Sequence, residues 1–221
     1  CSTLVGAVSR YIEKMTFKTV IIDEAAQALE PATWIPICKA NKVVFAGDPF
    51  QLPPTVKSLD AAKNGFNITL LEKGLLRLEQ VNLLDTQSRM HNTIMGFSNQ
   101  QFYNNQLKSD DSVSNWQLKL VDGTSGTPLE FIDTAGCSFE EKINPESLSY
   151  FNPEEYYVLR QHLDNLLVII GDQVISIGII SPYREQVIAI QDAIVKDFDH
   201  FPNANIEVNT IDAFQGQERD V

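Results

Sequence analysis

Four clusters of polar side chains have the types and spacing that phosphate chemistry needs. Asp23-Glu24 follows an apolar run, Phe17-Lys18-Thr19-Val20-Ile21-Ile22. One carboxylate of such a pair can hold Mg²⁺ through its water shell, and the next can orient or deprotonate an attacking water. Taken alone, the pair also suits a helix cap, since acids are favoured at a helix N-terminus. Gly47-Asp48-Pro49-Phe50-Gln51 follows a second apolar run. Its Gln51 amide can reach a γ-phosphate or the attacking water, although the same residues make a tight turn. Arg89, in Gln87-Ser88-Arg89-Met90-His91, carries a permanent charge of the kind that stabilises a transition state from a neighbouring domain. Thr210-Ile211-Asp212-Ala213-Phe214-Gln215-Gly216-Gln217-Glu218 crowds hydroxyl, carboxylate, amide and glycine together, denser than a plain turn requires.

Elements must deliver these groups. Residues 17–22 and 42–46 read as buried parallel strands, each ending in polar residues. Ala25 to Leu29 favours helix until Pro31 interrupts it. Residues 58–78 read as helix and connector, broken at Gly65 and Gly74. The pattern restarts beyond Leu83-Leu84, with a helix from about His91 to Tyr103, an exposed loop over 108–128 and a strand at Leu129–Asp133. Pro153-Glu154-Glu155 opens a helix to about Leu167, with proline in the first turn and acids at its positive end. A strand at Ile175–Ile180, an amphipathic helix at Tyr183–Phe198 and a strand at Ile206–Asn209 complete the chain. Strands alternating with helices, and ending in polar residues, indicate open α/β sheets with ligands at the strand C-termini. The restart near residue 80 predicts two such units.

Composition narrows the classes. The 221 residues are 43% hydrophobic and 21% charged, enough apolar material for one large core or two small ones. No apolar run reaches the 18 residues of a membrane span. Cys1, Cys38 and Cys137 are too dispersed for a zinc site or a disulfide framework, which points to a reducing, intracellular setting. A chain that begins Cys1-Ser2-Thr3, without Met or a basic leader, is expected to be cut from something longer. The net charge of −12 counts against a broad nucleic-acid footprint. Trp34, Trp116 and the pair Tyr156-Tyr157 could stack on bases, but aromatics on amphipathic elements are expected in the core. The three histidines lack metal spacing, and His91 reads as a helix start.

In order and spacing, these clusters resemble the motifs of superfamily 1 helicases. Asp23-Glu24-Ala25-Ala26-Gln27 resembles motif II in the form typical of the Upf-like and senataxin-like branch. Gly47 through Pro54 is similar to motif III, and Gln87-Ser88-Arg89-Met90-His91 to the segment that opens the second motor domain. Ile180-Ser181-Pro182-Tyr183-Arg184-Glu185-Gln186 is similar to motif IV, and Val208 through Val221 to motif V. Ser2-Thr3-Leu4 resembles a small strand-contacting motif, and Ser149 to Glu155 a stretch that recurs in this branch.

The resemblance implies two RecA-like P-loop NTPase domains with parallel sheets, both incomplete here. Residues 1–80 would be the C-terminal half of the first motor domain, and 81–221 the second up to motif V. It implies ATP and Mg²⁺ as cofactors. Asp23 would bind Mg²⁺ through water, Glu24 would be the catalytic base, Gln51 would sense the γ-phosphate and Arg89 would be the arginine finger. Gln87, Gly216 and Glu218 would face the nucleotide, Glu218 at its ribose. Thr3, Pro182, Thr210 and Asp212 would line a track for single-stranded nucleic acid, with DNA favoured over RNA and movement from 5′ to 3′. A basic strip on one face would serve that track despite the acidic balance. Two departures stand out. Ser88 replaces the tyrosine that stacks on the base, and no G-x-x-x-x-G-K-[ST] loop occurs, so this chain alone is expected not to hydrolyse ATP. A P-loop ATPase that remodels or binds without translocating is the alternative.

Overall fold

In the computed structural model, which describes residues 1–78, 81–198 and 203–221, the chain divides between Leu83 and Leu84 into two units. The junction expected near residue 80 falls at residues 79–80, outside the described residues.

In the first unit, Phe17–Ile22 (β1) and Ala40–Phe45 (β2) pair in parallel with Ile22 opposite Phe45, so both strands end side by side. The link between them differs from the helix expected over 25–29. Ala25–Gln27 form a single 3₁₀ turn, and Glu30–Ile37 (α1) begins with Pro31 in its first turn. Proline is tolerated there because the first N–H groups of a helix have no partner inside it, so Pro31 starts this helix and does not stop one.

Leu59–Lys63 (α2) and Leu70–Leu75 (α3) follow, with the break at Gly65 between them. Gly74 is the penultimate residue of α3, which ends at Leu75. Thr69 and Glu72 close a reciprocal capping box at the start of α3, which satisfies two orphan backbone donors and fixes where that helix begins. Ile22, Ala25, Ala26 and Leu71 are buried together, and Val20, Val43, Phe45 and Leu75 pack against them. The strands were expected to be buried. The face that carries Ile22 and Phe45 is covered by that cluster, while Ile21 and Val44, paired on the other face, are exposed.

The second unit opens with Thr86–Gln87 (β3), and Asn92–Phe102 (α4) leads to Lys108–Ser109 (β4), which pairs parallel with β3. His91 caps α4 by accepting the Thr93 amide at Nδ1, as its position implied. Lys142–Ile143 (β5) and Tyr150–Phe151 (β6) form a short antiparallel hairpin. Pro153–Ile170 (α5) is capped by Asn152, which accepts the amides of Glu154 and Glu155. Ile175–Ser181 (β7), Arg184–Phe198 (α6) and Ala204–Thr210 (β8) make a parallel β-α-β unit, in register from Ile175↔Ala204 to Ser181↔Thr210. Ile211–Phe214 (α7) follows at once.

The core of this unit follows the two periods of its elements. Leu163, Leu167 and Ile170 line one face of α5, and Val187, Ile190, Ile194 and Phe198 one face of α6. Alternate residues Ile175, Ile177 and Ile179 of β7 meet both. Residues 129–133 form no strand; they join no ladder, and Phe131 is exposed. An extended apolar segment becomes a strand only where a partner offers its backbone groups. Beside β7, on the edge away from β8, lie the chain's last residues. Val221 donates to the Ser176 carbonyl (3.1 Å) and accepts from Gly178 N–H (2.8 Å). Of the aromatics expected in the core, Tyr156 packs against the buried cluster of this unit, whereas Trp34, Trp116 and Tyr157 are exposed. Among the described residues, no helix is long and apolar enough to cross a membrane.

Candidate functional site

At the ends of β1 and β2 the backbone joins the two polar clusters. The Ala46 amide donates to the Ile22 carbonyl and the Ala25 amide to the Ala46 carbonyl, both at 2.9 Å. The chain turns sharply between them at Glu24, in the left-handed region with φ 50° and ψ 40°. A non-glycine residue there is uncommon and costs energy, a frequent mark of functional turns. Gly47 makes the approach possible: a Cβ on it would stand 2.8 Å from the Ala25 nitrogen and 3.0 Å from that of Ala26.

Both acids stay exposed on this turn. Asp23 Oδ1 accepts the Glu24 amide (3.0 Å), while Oδ2 takes no bond among the described residues. Glu24 Oε2 accepts from the side-chain Nε2 of Gln27 at 3.3 Å. On the β2 side, Asp48 holds the loop: Oδ1 accepts the Phe50 amide (3.0 Å) and Oδ2 the Gln51 side chain (2.9 Å). Among the described residues no hydrogen bond joins Glu24 to Gln51; each is braced within its own loop. No group of three or more metal-ligating side chains occurs among the described residues. One exposed carboxylate with a free oxygen fits Mg²⁺, which keeps most of its waters and takes further oxygens from phosphate. The bracing roles of Gln27 and Asp48 were not anticipated, although both stand three residues from the group they hold, a spacing that local loops favour.

In the second unit Gln87 lies at the end of β3, half-buried, with Ser88 and Arg89 exposed beyond it. Its Oε1 accepts the amides of Arg89 (2.9 Å) and Met90 (2.7 Å). Its Nε2 donates to the Met90 carbonyl (2.7 Å) and to Ser109 Oγ (2.5 Å). Arg89 Nε reaches Glu218 Oε1 at 2.7 Å, so two residues far apart in sequence, both expected at the nucleotide, meet. Gly216, at φ +76°, turns the chain that carries Glu218.

The expected track residues separate. Pro182 and Thr210 adjoin because Ser181 is in register with Thr210, and Asp212 follows in the first turn of α7. Pro182 and Asp212 are exposed, Thr210 half-buried. Thr3 belongs to the first unit, where its hydroxyl accepts the Gly6 amide at 3.0 Å. Asp220 was missed: its carboxylate accepts the Ser176 amide and hydroxyl (2.8 and 2.7 Å), and these bonds hold its pKa below the usual aspartate value.

Two family models, each described as an AAA domain, match residues 66–221 and 1–59. Helicase SEN1 of Saccharomyces cerevisiae is 36% identical across 100% of this chain and 10% of its own length. The chain belongs to the superfamily 1 helicases, in their senataxin-like branch. This helicase chain is also 37% identical to DNA-binding protein SMUBP-2 of Mus musculus, over 92% of the chain and 21% of that protein. DNA polymerase alpha-associated DNA helicase A of Saccharomyces cerevisiae is 35% identical over 93% of the chain and 32% of its length. The helicase chain thus spans between a tenth and a third of these relatives. The parallel sheets with polar strand ends are the fold expected of the family's RecA-like domains.

Proposed function

We propose that, in the full-length protein, this chain supplies catalytic and strand-gripping parts of an ATP-driven motor that moves along single-stranded nucleic acid. The observation that carries the reading is the pair of strand ends in the first unit. There Asp23 and Glu24 are presented, exposed, on a left-handed turn packed against Gly47, beside the loop that carries Gln51. Charges held ready in this way suit a reaction whose catalysis is positioning and electrostatics.

Residues 1–80 act as the C-terminal half of one motor domain, and 81–221 as the other up to motif V. Glu24 orients and deprotonates the attacking water, and the free oxygen of Asp23 holds the magnesium shell. When bound, Mg²⁺ neutralises charge on the β- and γ-phosphates. Gln51 reports the γ-phosphate, Arg89 stabilises the charge that builds up on it, and Glu218 with Gly216 faces the ribose. Thr3, Pro182, Thr210 and Asp212 line the strand, DNA in preference to RNA, with movement from 5′ to 3′. The isolated 221-residue chain does not turn over ATP, because it has no phosphate-cradling loop sequence.

The test is ATP turnover by the full-length protein without polymer, with single-stranded DNA, and with RNA of the same sequence, alongside Glu24→Gln. Stimulation by one polymer that disappears in Glu24→Gln supports the motor and names its track. Turnover indifferent to both polymers transfers the chain to the non-translocating ATPases.

A further inference from the structure

The loop that carries Arg89 is held almost entirely by one side chain. A glutamine carboxamide has two N–H donors and an oxygen that accepts two bonds. Gln87 uses all four inside the protein: Arg89 N and Met90 N on Oε1, Met90 O and Ser109 Oγ on Nε2. The network also fixes the orientation of the amide, since two donors face Oε1 and a backbone carbonyl faces Nε2. Ser109 is anchored in turn on β4, where it pairs with Gln87 in the parallel ladder, and its hydroxyl also contacts the Met90 carbonyl (3.3 Å). The backbone of residues 88–90 is therefore tied to a strand pair, while the Arg89 side chain extends from it, exposed, to Glu218.

We propose that Gln87 is a positioning residue for Arg89: its carboxamide, fully occupied in clamping the 88–90 backbone onto β3 and β4, sets where the guanidinium arrives and leaves nothing for the nucleotide. The proposal rests on the motor reading above, and it moves Gln87 from nucleotide contact to support of the finger. A misplacement of about 1 Å in a group that must meet the reacting atoms can cost about 10²-fold in rate. The clamp therefore acts on kcat and leaves ground-state nucleotide binding alone.

The experiment uses the full-length protein with its stimulating polymer. Steady-state kcat and KM for ATP and the affinity for a fluorescent ADP analogue are compared among wild type, Gln87→Ala, Arg89→Ala and the double variant. Gln87→Ala is expected to lower kcat about 10- to 100-fold, with KM and ADP affinity within about twofold of wild type. In the Arg89→Ala background the same change is expected to cost no more than about threefold, because the group it positions is gone. Weakened ADP binding in Gln87→Ala, or a full further loss of kcat in the double variant, overturns the proposal. If Gln87→Ala does not fold, Ser109→Ala removes one clamp bond and should lower kcat a few-fold at unchanged ADP affinity. Wild-type kcat in that variant overturns the proposal equally. Wild type without polymer-stimulated turnover overturns the motor reading and this proposal with it, whereas active wild type with unimpaired Gln87→Ala overturns the proposal alone.

Discussion

At the end of β1, the side chains of Asp23 and Glu24 bond only within the turn, to the Glu24 amide and to Gln27; at the end of β3, Gln87 clamps its neighbours Arg89 and Met90 but also reaches Ser109, and Arg89 reaches Glu218, both distant in sequence. The packing beneath the two regions differs in the same sense. The first unit buries Ile22 among small residues and partly exposed neighbours, while in the second α5, α6, β7 and β8 enclose a continuous cluster. The side chains of the Asp23-Glu24 turn are thus braced within their own loop, while its backbone rests on Ala46 and Gly47 at the end of β2. The Arg89–Glu218 pairing requires the whole second unit to be folded.

Core truncation gives the largest effect and the sharpest way to break this comparison. Ile177 is 2% exposed at the centre of the larger cluster, and Ile177→Ala should cost about 3–5 kcal/mol. Ile22→Ala should cost about 2 kcal/mol, since its half-exposed neighbours can close on the space left behind. Urea unfolding, with hydrogen exchange to assign losses to each unit, measures both. Equal costs would remove the distinction between a locally held and a globally held site.

Glycine substitutions sharpen it at smaller scale. Gly47→Ala places a methyl group 2.8 Å from a backbone nitrogen of the acidic turn, so backbone must move, at about 1–3 kcal/mol. It should also lower ATP turnover in the full-length protein, because the displaced atoms directly follow Glu24. Gly216→Ala meets no atom within 4 Å and should cost only the left-handed backbone strain, about 1 kcal/mol. Thermal unfolding orders the two. A Gly216 variant worse than the Gly47 variant would mean that the second site also depends on local backbone.

The same distinction governs what could be read from the residues. Asp23-Glu24 after six extended residues announced its place, because strand and turn are written contiguously, and the β7-α6-β8 unit announced itself through its two hydrophobic periods. Pro31 misled, because its permission to open a helix depends on where the preceding turn ends. The strand expected at Leu129–Asp133 had the right residues but pairs with no other strand, which local pattern cannot foresee. The Gln87 clamp was illegible for the same reason: its meaning lies in Ser109, which only the β3–β4 pairing brings near.

The smallest effect tests whether long-range bracing extends to the edge that carries Pro182. Glu185, in the first turn of α6, accepts Asn144 Nδ2 and Ser147 Oγ, both at 2.9 Å, and so ties the loop of the β5–β6 hairpin to that turn. Those two bonds, Asn144's first and then Ser147's, hold the carboxyl below the ordinary glutamate value of 4.5. A depressed value means that the folded state gives up its proton more readily than the unfolded chain. The stabilisation is therefore complete above pH 4.5 and is lost as pH falls through the lower folded value. Thermal unfolding between pH 7 and pH 3 should thus decline less steeply for Glu185→Gln, which keeps one acceptor oxygen but cannot titrate, than for wild type. Because the group is exposed, the difference should be smaller than that for Gly216→Ala. Identical pH profiles would mean that the hairpin sits on α6 through its other ties, Ser149 to the Glu185 amide and Asn152 to the buried Gln186, with the carboxylate adding nothing.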